Sequence, residues 1–142
     1  MKVLLDTNIV MDALQERQPF DIEAKEILKR SQGNNDFSCL LTANGISDIF
    51  YLYSKARGMK SAKAALEFLL EAYHVVSVTH DDCKIALSLD IEDFEDALVV
   101  VCAQKEEADC VVTRDDEFLK ADSPVRLISP KGFIDELNTS MR

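Results

Sequence analysis

With 142 residues, 47% of them hydrophobic, the chain has the length of one ordinary domain and enough apolar surface for one contiguous core without disulfide or metal staples, so a single domain over 1–142 is expected. No apolar run approaches the roughly 18 residues of a membrane span, and Met1 leads straight into Lys2-Val3-Leu4-Leu5-Asp6 without a signal-peptide pattern, so a soluble cytoplasmic protein with no membrane partner is expected. A net charge of −10, from 16 Lys and Arg against 26 Asp and Glu, has the wrong sign for gripping a polyanion by counterion release, unless several carboxylates converge on divalent cations where a phosphate must sit.

Short apolar runs alternate with longer segments of helical period, the pattern of an α/β domain around a mainly parallel sheet. The first run, 2–5, is apolar at both alternating positions, as strands covered on both faces are. Thr7 or Asn8 can cap a first helix through Leu14, and Pro19 precedes a second over about 21–30. Ser31-Gln32-Gly33-Asn34-Asn35 then breaks the chain before a second strand at 37–41. Thr42 can cap a third helix through about Lys55, Gly58 ends that connection, and Ser61 opens a fourth helix reaching Tyr73. A third strand at 75–78 is followed by a helix capped by Asp81 or Asp82, then by a helix over 93–107 with Ala97, Leu98, Val101 and Cys102 at helical spacing. Strands at 110–112 and 125–128 follow, and Ser129-Pro130 opens the last helix. The sum is about five strands with helices on each side, a three-layer α/β/α sandwich. Cys39, Cys83, Cys102 and Cys110 are scattered singly, with no CxxC pair and only His74 and His80 to complete a site, and read as free thiols of a reducing compartment.

Parallel sheets bind ligands beyond the carboxyl ends of their strands, which makes an acid immediately after a strand informative. Asp6 directly follows the first strand, and Asp115 follows the 110–113 run with only Arg114 intervening. Each could equally be a helix cap or turn acid. Asp96 opens the most apolar helix, with Asp93 one turn earlier on the same face. That helix leads into the strand that ends near Thr113, so its entry lies at the edge that carries Asp6 and Asp115. Asp48 sits in mid-helix beside Ile49, Leu52 and Tyr53, where an acid next to an apolar stripe needs a bound cation or an exposed place at the stripe's margin. Lys55, Arg57, Lys60 and Lys63 cluster along the chain, either as a grip on a phosphate backbone or as a solvated helix surface.

Three motifs in order resemble the PIN-domain family, small nucleases that include the toxins of VapC-like toxin and antitoxin pairs. Val3-Leu4-Leu5-Asp6-Thr7-Asn8-Ile9 is similar to that family's first motif, Asp93-Phe94-Glu95-Asp96-Ala97-Leu98 to its third-acid motif, and Val112-Thr113-Arg114-Asp115-Asp116-Glu117-Phe118 to its last. The resemblance implies a PIN-like fold, one or two Mg²⁺ or Mn²⁺ ions, and endoribonuclease hydrolysis of RNA phosphodiester bonds. It implies Asp6, Asp96 and Asp115 as acids of the metal site, Thr7, Asn8 and Thr113 as hydrogen-bonding supports, and Asp93, Asp116 and Glu117 as supplements. Asp48 departs from the family's usual Glu on that helix, and a side chain one methylene shorter is expected to reach an ion through water. All-carboxylate ligation suits Mg²⁺ or Mn²⁺ and not zinc, and Lys55, Arg57 or Lys60 would position RNA. The family also implies an antitoxin-like inhibitor protein over the site and a homodimer.

Competing readings are a catalytically inactive PIN-fold module that binds RNA or protein, and a phosphotransfer domain. A haloacid-dehalogenase-like enzyme wants a second acid where this chain has Asn8. A phosphoacceptor receiver-like domain wants paired early acids and a lysine after the last strand, where this chain has Asp6 alone and Lys131 after a proline.

Overall fold

The runs apolar at consecutive positions become the middle of a sheet. In the computed structural model, which describes residues 1–33 and 36–140, the strands β1 (Lys2–Leu5), β2 (Ser38–Thr42), β3 (His74–Val76), β4 (Cys110–Val112) and β5 (Leu127–Ile128) pair in parallel in the order β3-β2-β1-β4-β5. The chain builds outward from β1 to β3, then returns to place β4 against the other side of β1. The β1–β4 border is therefore the point where strand order reverses, and the crevice beyond its carboxyl edge is where open α/β sheets bind ligands.

Alternation along each strand divides the core between two layers. Val3 and Leu5, with Cys39, Leu41 and Val112, face Ile9 and Val10 of α1 (Thr7–Leu14), Ile27 of α2 (Asp21–Gly33), Ile49 of α3 (Ala43–Arg57), Leu69 of α4 (Met59–Ala72) and Phe133 of α8 (Pro130–Ser140). Leu4, Leu40, Val76 and Val111 face the opposite way, onto Val99, Val100 and Ala103 of α6 (Phe94–Lys105). Ala97, Leu98 and Val101 on α6 in turn pack on Ala86 of α5 (His80–Ser88). Buried on all sides, α6 is apolar around its circumference, as a helix enclosed by other elements is. The layers are those of the expected three-layer sandwich.

Several boundaries move for identifiable reasons. Asp6, and neither Thr7 nor Asn8, is the N-cap of α1, its side chain accepting from Thr7 N. Thr79 caps α5 in a reciprocal capping box with Asp82, in place of Asp81 or Asp82. Gly58, with φ 87°, both ends α3 and begins α4, so α4 starts before Ser61. Strand β5 is two residues long because the Val125 N–H and C=O are both taken by the Ser123 hydroxyl, at 3.1 and 2.6 Å, before the ladder begins. Helix α2 continues to Gly33, and Asn34 and Asn35 of the expected break lie outside the described residues. A four-residue helix, α7 (Asp116–Leu119), was not foreseen. All four cysteines are free, and burial pushes the thiols of Cys39, Cys102 and Cys110 up to about 12, 11 and 11. Among the described residues, no helix is long and apolar enough to cross a membrane.

The start of α3 lies hard against the start of α1. A Cβ on Gly45 would stand 2.8 Å from Thr42 Oγ1 and 3.1 Å from Thr7 Oγ1, and the Thr42 oxygen is fixed there as the α3 cap, accepting from Gly45 N at 3.1 Å. In Gly45→Ala, overpacking and a strained cap, worth about 1–3 kcal/mol, outweigh the helix-propensity gain of about 1 kcal/mol. We expect a net loss of about 1 kcal/mol, read as a Tm lower by a few degrees. A melting temperature equal to or above that of the parent would show that the two helices are free to part.

Candidate active site

The parallel strands end at one edge, where Asp6 follows β1 and three further carboxylates gather beside it. Asp6 is the first residue beyond β1, extended at φ −67° and ψ 151°. Its Oδ1 accepts from Thr7 N at 2.8 Å, and its Oδ2 accepts from the Thr113 hydroxyl at 2.8 Å and from Asn8 Nδ2 at 3.2 Å. Thr113 is fully buried. Its oxygen also accepts from Asp115 N at 3.1 Å and Asn8 Nδ2 at 3.3 Å, so one hydroxyl ties the end of β4 to the end of β1. Asp115 caps α7 by accepting from Glu117 N and Phe118 N. Asp93 caps α6 by accepting from Asp96 N at 3.0 Å, which leaves Asp96 in the first turn of that helix.

A cleft of about 320 Å³ opens beside Asp6. Asp48, Glu95 and Asp96 line it together with Asp6, Thr7, Thr42, Asn44, Tyr51 and Leu52, and among the described residues no Lys or Arg lines it. Asp48 thus comes from α3 to face Asp6, and Asp93 joins Asp96 and Glu117 in an adjoining hollow. Asp115 does not line the cleft, but its charge repels both Asp6 and Asp96. Burial first, then repulsion from Asp93, Asp6, Asp115 and Glu95, pushes the Asp96 carboxyl up to about 7. Burial also raises Asp6, against the opposing hydrogen bonds from Thr113 and Thr7. Glu95 is raised by burial and by Asp48, Asp93 and Asp6.

The donors are oxygens throughout, and two of them are open: Asn44 Oδ1, on the cleft, and Asn8 Oδ1 are buried without a hydrogen-bond partner. Among the described residues no three His, Cys, Asp or Glu side chains stand close enough to enclose an ion by themselves. An open ring of hard donors fits a divalent cation that keeps part of its own water, as Mg²⁺ does, and suits zinc poorly. Lys55 reaches the rim, donating from Nζ to the Tyr51 hydroxyl at 3.0 Å and lying 4.8 Å above that ring. Arg57 and Lys60 are exposed and do not line the cleft; Arg57 lies nearer Glu16 at the other end of α1. Sequence reasoning passed over Glu95 and Asn44. Asn44 lies two residues past the end of β2, but it is not an acid, so the rule applied to β1 and β4 did not select it.

The family model described as PIN domain matches residues 2–117. Ribonuclease VapC1 of Aquifex aeolicus (strain VF5) is 24% identical over 146 residues, covering 97% of this chain and 96% of that protein. VapBC2 from Rickettsia felis, solved bound to a DNA fragment from its promoter, superposes with a TM-score of 0.71 at 17% identity, covering 91% of this chain and 98% of that one. VapC20 from Mycobacterium tuberculosis, described as a Sarcin-Ricin loop cleaving toxin, gives 0.69 at 19% identity over 85% of this chain and 95% of that one. At such identities these superpositions establish a shared fold. The family match runs through all three acid-bearing motifs, from Asp6 to Asp115, and the chain belongs to the PIN-domain family.

Proposed function

We propose that this chain is a metal-dependent endoribonuclease, one domain over its length, acting in the cytoplasm as a toxin that a neutralising protein partner holds in check. The observation that carries this reading is the setting of Asp6, locked by Thr113 and Asn8 and facing Asp48, Glu95 and Asp96 across a cleft that no basic side chain lines among the described residues. Support for RNA as substrate comes from the names of the relatives, one a ribonuclease and one a loop-cleaving toxin, and a toxin-antitoxin complex from Klebsiella pneumoniae of similar fold supports an antitoxin-like partner. The phosphotransfer alternatives give way because the family match includes every acid motif. The inactive binding module is the second reading, and RNA cleavage by the parent protein decides between the two; Asp48, which departs from the family's usual Glu, lines the cleft.

In this reading Asp6, Asp48, Asp96 and Asp115 hold Mg²⁺ or Mn²⁺, directly or through water. A divalent ion bound there supplies a lowered pKa for the attacking water and a counter-charge for the phosphate and the leaving oxygen. Thr113, Asn8 and the Thr7 amide keep both oxygens of Asp6 oriented, and Asp93 fixes the turn that carries Asp96. Lys55, on the rim, positions the RNA backbone without touching the reacting phosphorus.

Cleavage of single-stranded RNA should require Mg²⁺ or Mn²⁺ and stop with EDTA. Asp6→Asn, which keeps the side chain's size but replaces one accepting oxygen by a donor and removes the charge, should lower the rate at least about 100-fold, or about 2.7 kcal/mol of barrier. Undiminished cleavage by well-folded Asp6→Asn would remove the cleft from consideration.

The raised Asp96 carboxyl gives a pH dependence of definite sign. Its folded value of about 7 lies above the value near 4 of an unfolded chain, so between about pH 4 and 7 the native state binds more protons than the unfolded one, and stability falls as pH rises. The metal-free protein should therefore melt progressively lower across that window, and Mn²⁺ should restore the loss at pH 7 and above. Asp96→Asn should flatten the metal-free profile and raise its melting temperature near neutrality while weakening the response to Mn²⁺. Parallel melting profiles for parent and variant, with and without Mn²⁺, would contradict the cluster.

For Asp48, two substitutions separate a site residue from a bystander. Asp48→Ala gains about half a kcal/mol of helix propensity in either case, but should lose about ten-fold or more in Mn²⁺-dependent cleavage. Asp48→Glu, longer by one methylene, should retain activity or improve it. If the Ala variant cleaves like the parent throughout a Mn²⁺ titration, Asp48 takes no part.

A further inference from the structure

Arg114 stands between Thr113 and Asp115, yet its side chain is committed elsewhere. Nε donates to Asp12 Oδ2 at 2.5 Å and Nη2 donates to Oδ1 at 3.0 Å, a two-point pairing with a carboxylate in the last turn of α1. Asp12 is 1% exposed. The guanidinium carbon lies 4.0 Å from the centroid of the Phe20 ring, and Arg17 Nη1 stands 3.8 Å from Asp12 Oδ1. Arg114 thus has its fork on one buried acid and a face against an aromatic ring, an arrangement that planar, bidentate Arg satisfies and Lys does not.

The placement of this pair matters more than its strength. Helix α1 carries Asp6 at its cap, and the 113–115 segment carries Asp115. The Thr113 hydroxyl joins the two at the cleft, and the Asp12–Arg114 pair joins them again deeper along α1. Two attachments on either side of one peptide fix its direction, where one would leave it free to pivot. Asp115 follows directly. With its fork held on Asp12, Arg114 also cannot fold back on Asp115 or Asp6, the two site acids whose charges it feels.

We infer that Asp12 and Arg114 are positioning residues, a bracket that presents Asp115 to the carboxylate cluster. This rests on the proposed reading of the cleft as a divalent-metal site. The direction of the effect on metal affinity distinguishes the bracket from simple electrostatics. Removing a cation close to Asp115 and Asp6 should, through charge alone, tighten Mn²⁺ binding. Loss of position should weaken it, and groups that orient metal-site carboxylates typically affect affinity or rate by about 10–100-fold.

The experiment measures Mn²⁺ affinity by calorimetry and RNA cleavage kinetics for the parent, Asp12→Asn, Arg114→Ala, Arg114→Lys and the Asp12→Asn/Arg114→Ala double variant, below each variant's melting temperature. The expected result is about ten-fold weaker Mn²⁺ binding and a similar fall in kcat in each single variant. KM should be little changed, and the double variant no worse than the poorer single one. Arg114→Lys keeps a charge next to Asp12, so it folds where the others fail to, and a several-fold loss in it alone sustains the inference. Unchanged or tighter Mn²⁺ binding in Arg114→Ala and Arg114→Lys would overturn it, as would a rise in KM with unchanged Mn²⁺ affinity, which would make Arg114 an RNA contact. A parent protein that neither binds Mn²⁺ nor cleaves RNA would overturn the metal-site reading and the bracket together, whereas a parent that does both beside equal variants overturns the bracket alone.

Discussion

The hydrogen bond from the Thr113 hydroxyl to Asp6 spans the border where strand order reverses, and most of the site's geometry depends on it. Two parallel strands leaving that border send their chains in different directions, one into α1 and the other into α7. The crevice that results would widen freely if nothing bridged it. A buried threonine with one proton to give and two lone pairs to offer satisfies Asp6, Asn8 and the Asp115 amide together. Without it the Asp115 amide would lose its partner at a part-buried position, a costly loss, and Asp6 Oδ2 and Asn8 Nδ2 would be left with each other. The side chains on the far wall, Asp48 from α3 and Asp96 from α6, meet Asp6 because their helices begin or pass at the same edge of the sheet.

Gathering carboxylates in a protein with a net charge of −10 works against folding. The architecture offsets part of this with the starts of helices. Asp6 and Thr7 open α1, Thr42 and Asn44 open α3, and Glu95 and Asp96 open α6, and all of them line the cleft. Helix starts carry partial positive charge and unpaired amides, which favour nearby anions. That support is local and incomplete, as the raised Asp96 carboxyl shows. In the proposed reading the remaining repulsion is what a bound cation would relieve, which makes a strongly acidic composition compatible with a polyanionic substrate.

The sequence was most legible where one physical demand acts alone. Strands β1 and β4 could be bounded to the residue because runs apolar on both faces end abruptly, and Thr42 and Gly58 were recognisable because their side chains, or the lack of one, suit a single task. Legibility fell where neighbouring residues could do the same task. Asp6, Thr7 and Asn8 are all capping types, and only the fold shows that Asp6 caps α1 while pointing at the cleft. Helix α7 is too short to have a period. Arg57 and Lys60 adjoin Lys55 in sequence, but neither lines the cleft and Arg57 acts on Glu16 instead, and linear clustering carries no information on direction. Asn44 and Glu95 escaped because a side chain's value there depends on which walls meet, a tertiary fact.

Asp6, Asp93 and Asp115 each hold the first turn of a helix while belonging to the acidic neighbourhood. Such double employment shapes what can happen to these positions as the gene drifts. A change to a small aliphatic residue removes a cap as well as a charge, so it is punished in stability before chemistry is considered, by about 1 kcal/mol at each site. Asparagine is nearly as good a cap as aspartate and carries no charge, which leaves it as the cheap exit. A descendant that abandoned catalysis would therefore be expected to keep its helices intact and its shape recognisable, and to betray the loss by amides standing where the acids had been.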